Sequence, residues 1–149
     1  MKKYLLVTLL AVFSVQAMAQ RVPSEKKVSI SAGFLQGGGG LAGADFEFML
    51  GNHFSAQAGM GLVSFGGGIN FHFKPYINSS MISLLYWHQG LGVSYTQSVL
   101  GPVFTYRAPK IFQCQIGLGA KVGEGPAIPE SNKDLPMMLL YSIGVYFPL

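Results

Sequence analysis

The sequence predicts an all-β fold: a single antiparallel eight-stranded transmembrane β-barrel in up-and-down (meander) order, preceded by a cleavable signal peptide. Three observations predict it. The chain is 50% hydrophobic and 13% aromatic but only 11% charged, against about 25% charged in a typical soluble domain. Beyond the N-terminal leader no apolar run is long enough for a membrane helix, which needs about 20 residues, because glycines interrupt each candidate segment. The apolar residues recur instead at every second position, most strictly from Met137 to Leu149. An apolar chain without apolar runs spreads its apolar residues over one face of its strands, as membrane barrels do.

Residues 1–19 read as the signal peptide. Lys2 and Lys3 form its charged start, Tyr4 to Val15 its apolar stretch, and Ala17-Met18-Ala19 the small-residue cleavage site before Gln20. The apolar stretch is too short to span comfortably as an anchor. Residues 20–27 form a short periplasmic lead-in and residues 28–149 the barrel. Two of the ten basic residues leave with the leader, so the remaining balance is 10 − 2 = 8 basic against 6 acidic residues. No basic cluster remains that would argue for nucleic acid. The single cysteine, Cys114, excludes an intrachain disulfide framework.

Eight strands follow in order. Val28, Ile30, Ala32 and Phe34 alternate with Ser29, Ser31 and Gly33. Ala44, Phe46, Phe48 and Leu50 alternate with Asp45 and Glu47. Phe54 to Leu62 alternates with Ser55, Gln57, Gly59 and Gly61, and Ile69, Phe71 and Phe73 alternate with Asn70, His72 and Lys74. Met81 to His88 is apolar on both faces and its phase is open. Ser98 to Arg107 contains Pro102, which cannot donate to a ladder and is expected near a rim. Phe112 to Val122 alternates with Gln113, Gln115, Gly117, Gly119 and Lys121, and Met137 to Leu149 is the eighth strand.

The connections support the count. The second, fourth and sixth are compact (Gly51-Asn52, Lys74 to Ser79, Ala108-Pro109-Lys110), and Gly-Asn is a tight hairpin signal. The longest are the fifth, Gln89 to Gln97, and the seventh, Gly123 to Pro136. Membrane barrels place short turns on the periplasmic side and longer loops outside, so these two loops are the expected contact surfaces. Gly37 to Gly40 and Gly66 to Gly68 read as short, flexible first and third hairpin loops. Aromatic girdles are expected from Phe54, Phe73, Tyr76, Tyr106, Phe112 and Phe147 at the periplasmic end, and from Phe34, Phe65, Tyr86 and Trp87 at the outer end.

With the apolar face outward, the other face fills a barrel too narrow for a pore. Asp45, Glu47, His72, Lys74, Arg107, Gln113, Gln115 and Lys121 are expected to interlock there as a polar plug, because a buried charge is costly unless paired. A proton or ion path is the alternative use of the same residues.

From Val28 to Leu149 the chain resembles the small eight-stranded outer-membrane β-barrel proteins of Gram-negative-type bacteria. Tyr141, Ile143, Val145, Phe147 and Leu149 resemble that family's assembly signal, with Leu149 in place of the usual phenylalanine and Pro148 before it. The resemblance implies a multi-pass protein of the cell outer membrane whose partners are outer-membrane lipid and the barrel-assembly machinery. It implies hardly anything about activity, and the leading expectation is a monomer with a structural or interaction-type role, a side-chain-filled interior without an open pore, no enzyme activity and no cofactor.

Two alternatives remain at this point. One is a lipid-modifying barrel enzyme. His53-Phe54-Ser55 resembles the His-x-Ser element of outer-membrane lipid A deacylases, although it lies beside the expected periplasmic turn. His88, Ser94, Ser98 and Asp134 could supply the histidine, serine and acid that lipid A palmitoyltransferases use near the outer rim. The other is a soluble periplasmic barrel that binds a hydrophobic ligand, with its apolar face inward. His53, His72, His88 and Cys114 lack the spacing of metal ligands.

Overall fold

Alternation builds what it predicts. The computed structural model describes residues 24–91, 94–126 and 136–149, and in it eight strands close into one barrel with each strand paired to its sequence neighbours and β1 to β8. The strands are β1 (Val28–Phe34), β2 (Ala42–Met49), β3 (Phe54–Gly61), β4 (Ser64–His72), β5 (Met81–Leu91), β6 (Tyr95–Arg107), β7 (Phe112–Glu124) and β8 (Met137–Pro148). All eight pairings are antiparallel. The expected signal peptide 1–19, residues 20–23 of the lead-in and Asp134 lie outside the described residues.

Closure is made by β8, whose Phe147 and Ile143 face Ile30 and Phe34 of β1 in register. Leu149 N–H donates to Val28 O, and Lys26 Nζ donates to Pro148 O at 3.0 Å. One end of the barrel, here the terminal end, therefore carries both ends of the barrel segment together with the β2–β3, β4–β5 and β6–β7 turns. The opposite, loop end carries the other connections.

The two faces separate as the alternation demands. Ile30, Phe46, Phe48, Met60, Ile69, Phe71, Leu84, Phe104, Ile116, Leu139, Tyr141 and Ile143 are exposed on the outside. Ser29, Ser31, Glu47, Ser55, Asn70, His72, Thr105, Arg107, Gln113 and Ser142 are buried inside. Among the described residues, the charged side chains lie inside, in the terminal-end segments and turns, or at the loop-end rim, and none stands on the outward face between the ends. A barrel with an apolar lumen and a polar exterior is not what this chain forms.

Several expectations need correction. Gly66 to Gly68 are not a loop but lie inside β4, and the third connection is only Leu62-Val63. The fifth connection shrinks as well. Gln89, Gly90 and Leu91 pair with Gln97, Thr96 and Tyr95 in the β5–β6 ladder, because a long twisted hairpin gains bonds that a loop forfeits. Pro102 sits in mid-strand opposite Leu84, not at a rim. The register to β7 is held on either side of it, at Leu100 and Val103.

The first connection is the largest departure. It does not project from the barrel. Gln36–Gly39 forms one tight turn whose Gln36, Gly37 and Gly38 are buried. Gly37 and Gly38 have φ of 65° and 84°, a region that L side chains rarely adopt. A Cβ on either would lie 2.1 Å from a backbone carbonyl, that of Met60 or Phe65. The turn fits inside because Gly43, Gly61 and Gly66 face it from β2, β3 and β4 without side chains.

Candidate functional site

The barrel interior has two layers. At the terminal end Glu47, projecting inward from β2, is the hub of a polar network. Its Oε1 accepts from Ser55 Oγ at 2.6 Å, Asn70 Nδ2 at 3.0 Å and His72 Nε2 at 2.9 Å. Its Oε2 accepts from Ser29 Oγ at 3.0 Å and from Arg107 Nη2 at 2.6 Å. Strand register explains the convergence, since Glu47 pairs with Ser29 on β1 and Ser55 pairs with Asn70 on β4. His72 Nε2 faces a carboxylate oxygen, so that nitrogen carries the hydrogen.

Arg107 is fixed on all sides. Its Nε donates to Gln113 Oε1 at 3.1 Å, its Nη1 donates to Ile77 O, and its guanidinium lies 4.8 Å over the Tyr146 ring. Tyr146 is anchored in turn by its hydroxyl, which donates to Ala108 O at 2.7 Å. Ile77, fully buried in the β4–β5 turn, closes the terminal mouth. Both carboxylate oxygens of Glu47 and all three guanidinium nitrogens of Arg107 are thus paired, while Asn70 Oδ1, His72 Nδ1 and Gln113 Nε2 are buried without a partner.

Above it the lumen becomes apolar. Leu85, Trp87, Val99, Val103 and Leu140 form one buried cluster with Met138 against it. Over this cluster lies the inserted first connection. Gly37 N–H donates to Asp45 Oδ2 at 3.3 Å, Ser64 Oγ donates to Gly37 O at 2.7 Å, and Gln89 Nε2 donates to Gly39 O at 3.3 Å.

The structure redistributes the residues expected in the plug. Glu47, His72, Arg107 and Gln113 meet in the terminal network. Asp45 instead holds the inserted turn, and Gln115 accepts from Ser142 Oγ at 3.0 Å in a separate pair. Lys74 is not inside. It lies two residues beyond His72, the last residue of β4, where the alternation stops, and is exposed in the turn while its N–H donates to Ser79 Oγ. Lys121 stands at the loop-end rim and pairs with Glu124. That i,i+3 contact within a strand comes from a β-bulge: Ser98 pairs with Gly123 and Val99 with Lys121, leaving Val122 as the extra residue.

Ser29, Ser55, Asn70, Tyr146 and Ile77 complete the plug and were not expected in it. The first four share the inward parity of Glu47 and His72 on their strands, which is the signal that could have found them. Ile77, in a turn, has no such signal.

Of the expected girdle residues, Phe54, Phe73, Phe112 and Phe147 are exposed near the terminal end and Phe34 and Phe65 near the loop end. Tyr76, Tyr86 and Tyr106 are half-buried. Trp87 is the exception. It is 5% exposed and points into the lumen, so Tyr86 takes the outward position. Tyr141, Ile143, Val145, Phe147 and Leu149 share the outward face.

The expected His53–Ser55 element is not assembled. His53 precedes β3, donates from Nδ1 to His72 O at 2.8 Å and stacks on Phe71. Ser55 is buried in the network beside His72, its hydroxyl committed to a carboxylate, with no route for a substrate. The second set is brought together in part. His88 Nδ1 lies 2.8 Å from Ser98 Oγ on the outward face, while Ser94 is exposed in the β5–β6 connection. Among the described residues, no group of three or more His, Cys, Asp or Glu side chains is arranged to hold a metal.

Comparison of the chain with protein-family models, with curated proteins and with solved structures gave no significant match. Fold and site geometry therefore carry the functional argument alone.

Proposed function

We propose that this chain is an integral outer-membrane β-barrel protein with a structural or interaction-type role, a side-chain-filled interior and no open pore. It would be exported by residues 1–19 and inserted by the barrel-assembly machinery, and it would act as a monomer without a cofactor. The observation that supports this reading is the sorting of the two faces. An outward apolar surface, uncharged between its ends among the described residues, surrounds an interior where Glu47 and Arg107 are paired. In water such an exterior far exceeds the apolar patch of a soluble monomer. In hydrocarbon it is the solvated face, and a closed barrel leaves no strand edge unpaired.

Membrane fractionation tests the proposal. The protein should stay with membranes through carbonate and urea washes and migrate differently on a gel before and after boiling. Release by carbonate would overturn it. In planar bilayers the purified protein should leave conductance at baseline, because the apolar cluster and inserted turn close the lumen above the polar network.

A further inference from the structure

We propose that Ser98, His88 and Tyr86 form an ester-cleaving site on the outward face near the loop end, acting on carboxylic esters of membrane lipid. The proposal rests on the membrane reading above for its substrate. The geometry is one row across four strands. Phe65 on β4 pairs with His88 on β5, His88 with Ser98 on β6, and Ser98 with Gly123 on β7.

Each neighbour gives the serine one requirement of a nucleophile. His88 Nδ1 lies 2.8 Å from Ser98 Oγ, and in the tautomer that carries its hydrogen on Nε2 it accepts from the serine hydroxyl and can take its proton. The Tyr86 hydroxyl donates to the same oxygen at 3.0 Å. Phe65 lies beside both, with ring centroids 4.7 Å from His88 and 6.5 Å from Tyr86. On the other flank Gly123 has no side chain, and a Cβ there would come within 3.5 Å of Ser98 Oγ. Ser98 is 9% exposed, and the proposed approach to its hydroxyl is at this bare flank. The β-bulge at Val122 lies beside it, and bulges recur where a strand must re-aim side chains around a site. Ser55 is the internal contrast, with its hydroxyl given to a buried carboxylate and no open side.

The chemistry balances without an added cofactor. Ser98 Oγ attacks the acyl carbon as His88 Nδ1 takes its proton, and the Tyr86 hydroxyl donates to the developing oxyanion. The C–O bond to the alcohol breaks, and His88 returns the proton to the leaving alcohol. Water then attacks the acyl-serine with His88 again as base, releasing the carboxylic acid and restoring Ser98. At the loop-end ring of Phe34 and Phe65, the site lies at the depth where the ester groups of lipids would sit.

The test uses the full chain refolded in detergent micelles, its folding verified by heat-modifiable migration. A fluorophosphonate probe should label the wild type, Ser98→Ala should remove the label and Ser94→Ala should keep it. Hydrolysis of phospholipid in mixed micelles should fall roughly 10²–10⁴-fold in His88→Gln, as expected for loss of a general base. It should fall in Gly123→Leu too, which covers the approach. A folded wild type that neither takes the label nor cleaves phospholipid faster than Ser98→Ala overturns the proposal. So does label on another residue. Carbonate extraction reads the membrane assignment separately, so the two can fail independently.

Discussion

The two halves of the lumen exclude solvent by opposite means. The terminal half is held by charge and hydrogen bonds, with Glu47 accepting five of them and Arg107 bound on each side. The loop half is held by an apolar cluster and by backbone laid against backbone, where Gly37 and Gly38 meet Gly43, Gly61 and Gly66. The difference lies in what each half cannot tolerate. The terminal half fails when a partner is removed, because the remaining charge stays buried. The loop half fails when an atom is added. A single barrel wall supports both because its inward positions need only be filled, not filled in one way.

The largest effect follows from breaking the terminal half. Glu47→Gln leaves the Arg107 guanidinium buried without its counter-charge and should cost about 3–5 kcal/mol. Combining it with Arg107→Met removes both charges, so the double variant should be more stable than the sum of its single variants. Ser142→Ala removes one neutral hydrogen bond to Gln115 and should cost about 1 kcal/mol. Urea unfolding in detergent micelles, followed by the heat-modifiable gel band, ranks these variants. If Glu47→Gln cost no more than Ser142→Ala, the terminal half would not be held by its ion pair.

The loop half should break on the addition of one methyl group. Gly38→Ala places a Cβ at positive φ and against Phe65 O, and strain of this kind costs about 1–3 kcal/mol. The inserted turn should leave the lumen, so limited proteolysis should now cut within residues 35–41. Gly51→Ala is the control, because a Cβ there meets nothing within 4 Å. Equal stability of the two variants would mean that the turn is not locked in place.

This contrast also marks what the sequence discloses. Strand parity is a local property, so the inward placement of Glu47, His72, Arg107 and Gln113 was legible from alternation alone. It failed where its premise failed. On β5 both faces are apolar because the loop half of the lumen is itself apolar, and so Trp87 could not be told from Tyr86 as the outward ring. Lys74 was carried two residues past the end of β4, where turn geometry replaces alternation. The bulge at Val122 shifted the phase that brings Glu124 to Lys121. The glycine run Gly37 to Gly40 signals freedom when read alone. Its burial depends on Gly43, Gly61 and Gly66 on three other strands, a coincidence that exists only once register is set. His88 and Ser98 belong together for the same reason: ten residues apart, they become neighbours through the β5–β6 register.

The smallest effect has the opposite sign and sharpens the comparison furthest. Gln36 is 1% exposed in the inserted turn, and among the described residues neither its Nε2 nor its Oε1 has a hydrogen-bond partner. It is an unpaired polar group in a half of the lumen packed by the apolar cluster, where Asp45, Ser64 and Gln89 bond the backbone of the turn and not this side chain. An unpaired buried amide costs roughly 1–3 kcal/mol on the scale of protein substitutions, and leucine fills a similar volume without that cost. Gln36→Leu should therefore stabilise the folded barrel by about 1 kcal/mol, measured by the same urea titration and with residues 35–41 still resistant to protease. The corresponding change in the terminal half, Gln113→Leu, should destabilise, because Gln113 Oε1 is the acceptor for Arg107 Nε. One substitution, glutamine to leucine, then carries opposite signs at the two ends of one cavity. If Gln36→Leu instead cost as much as Gln113→Leu, the loop half would be a second polar network, and the division of the lumen into two modes of packing would fall.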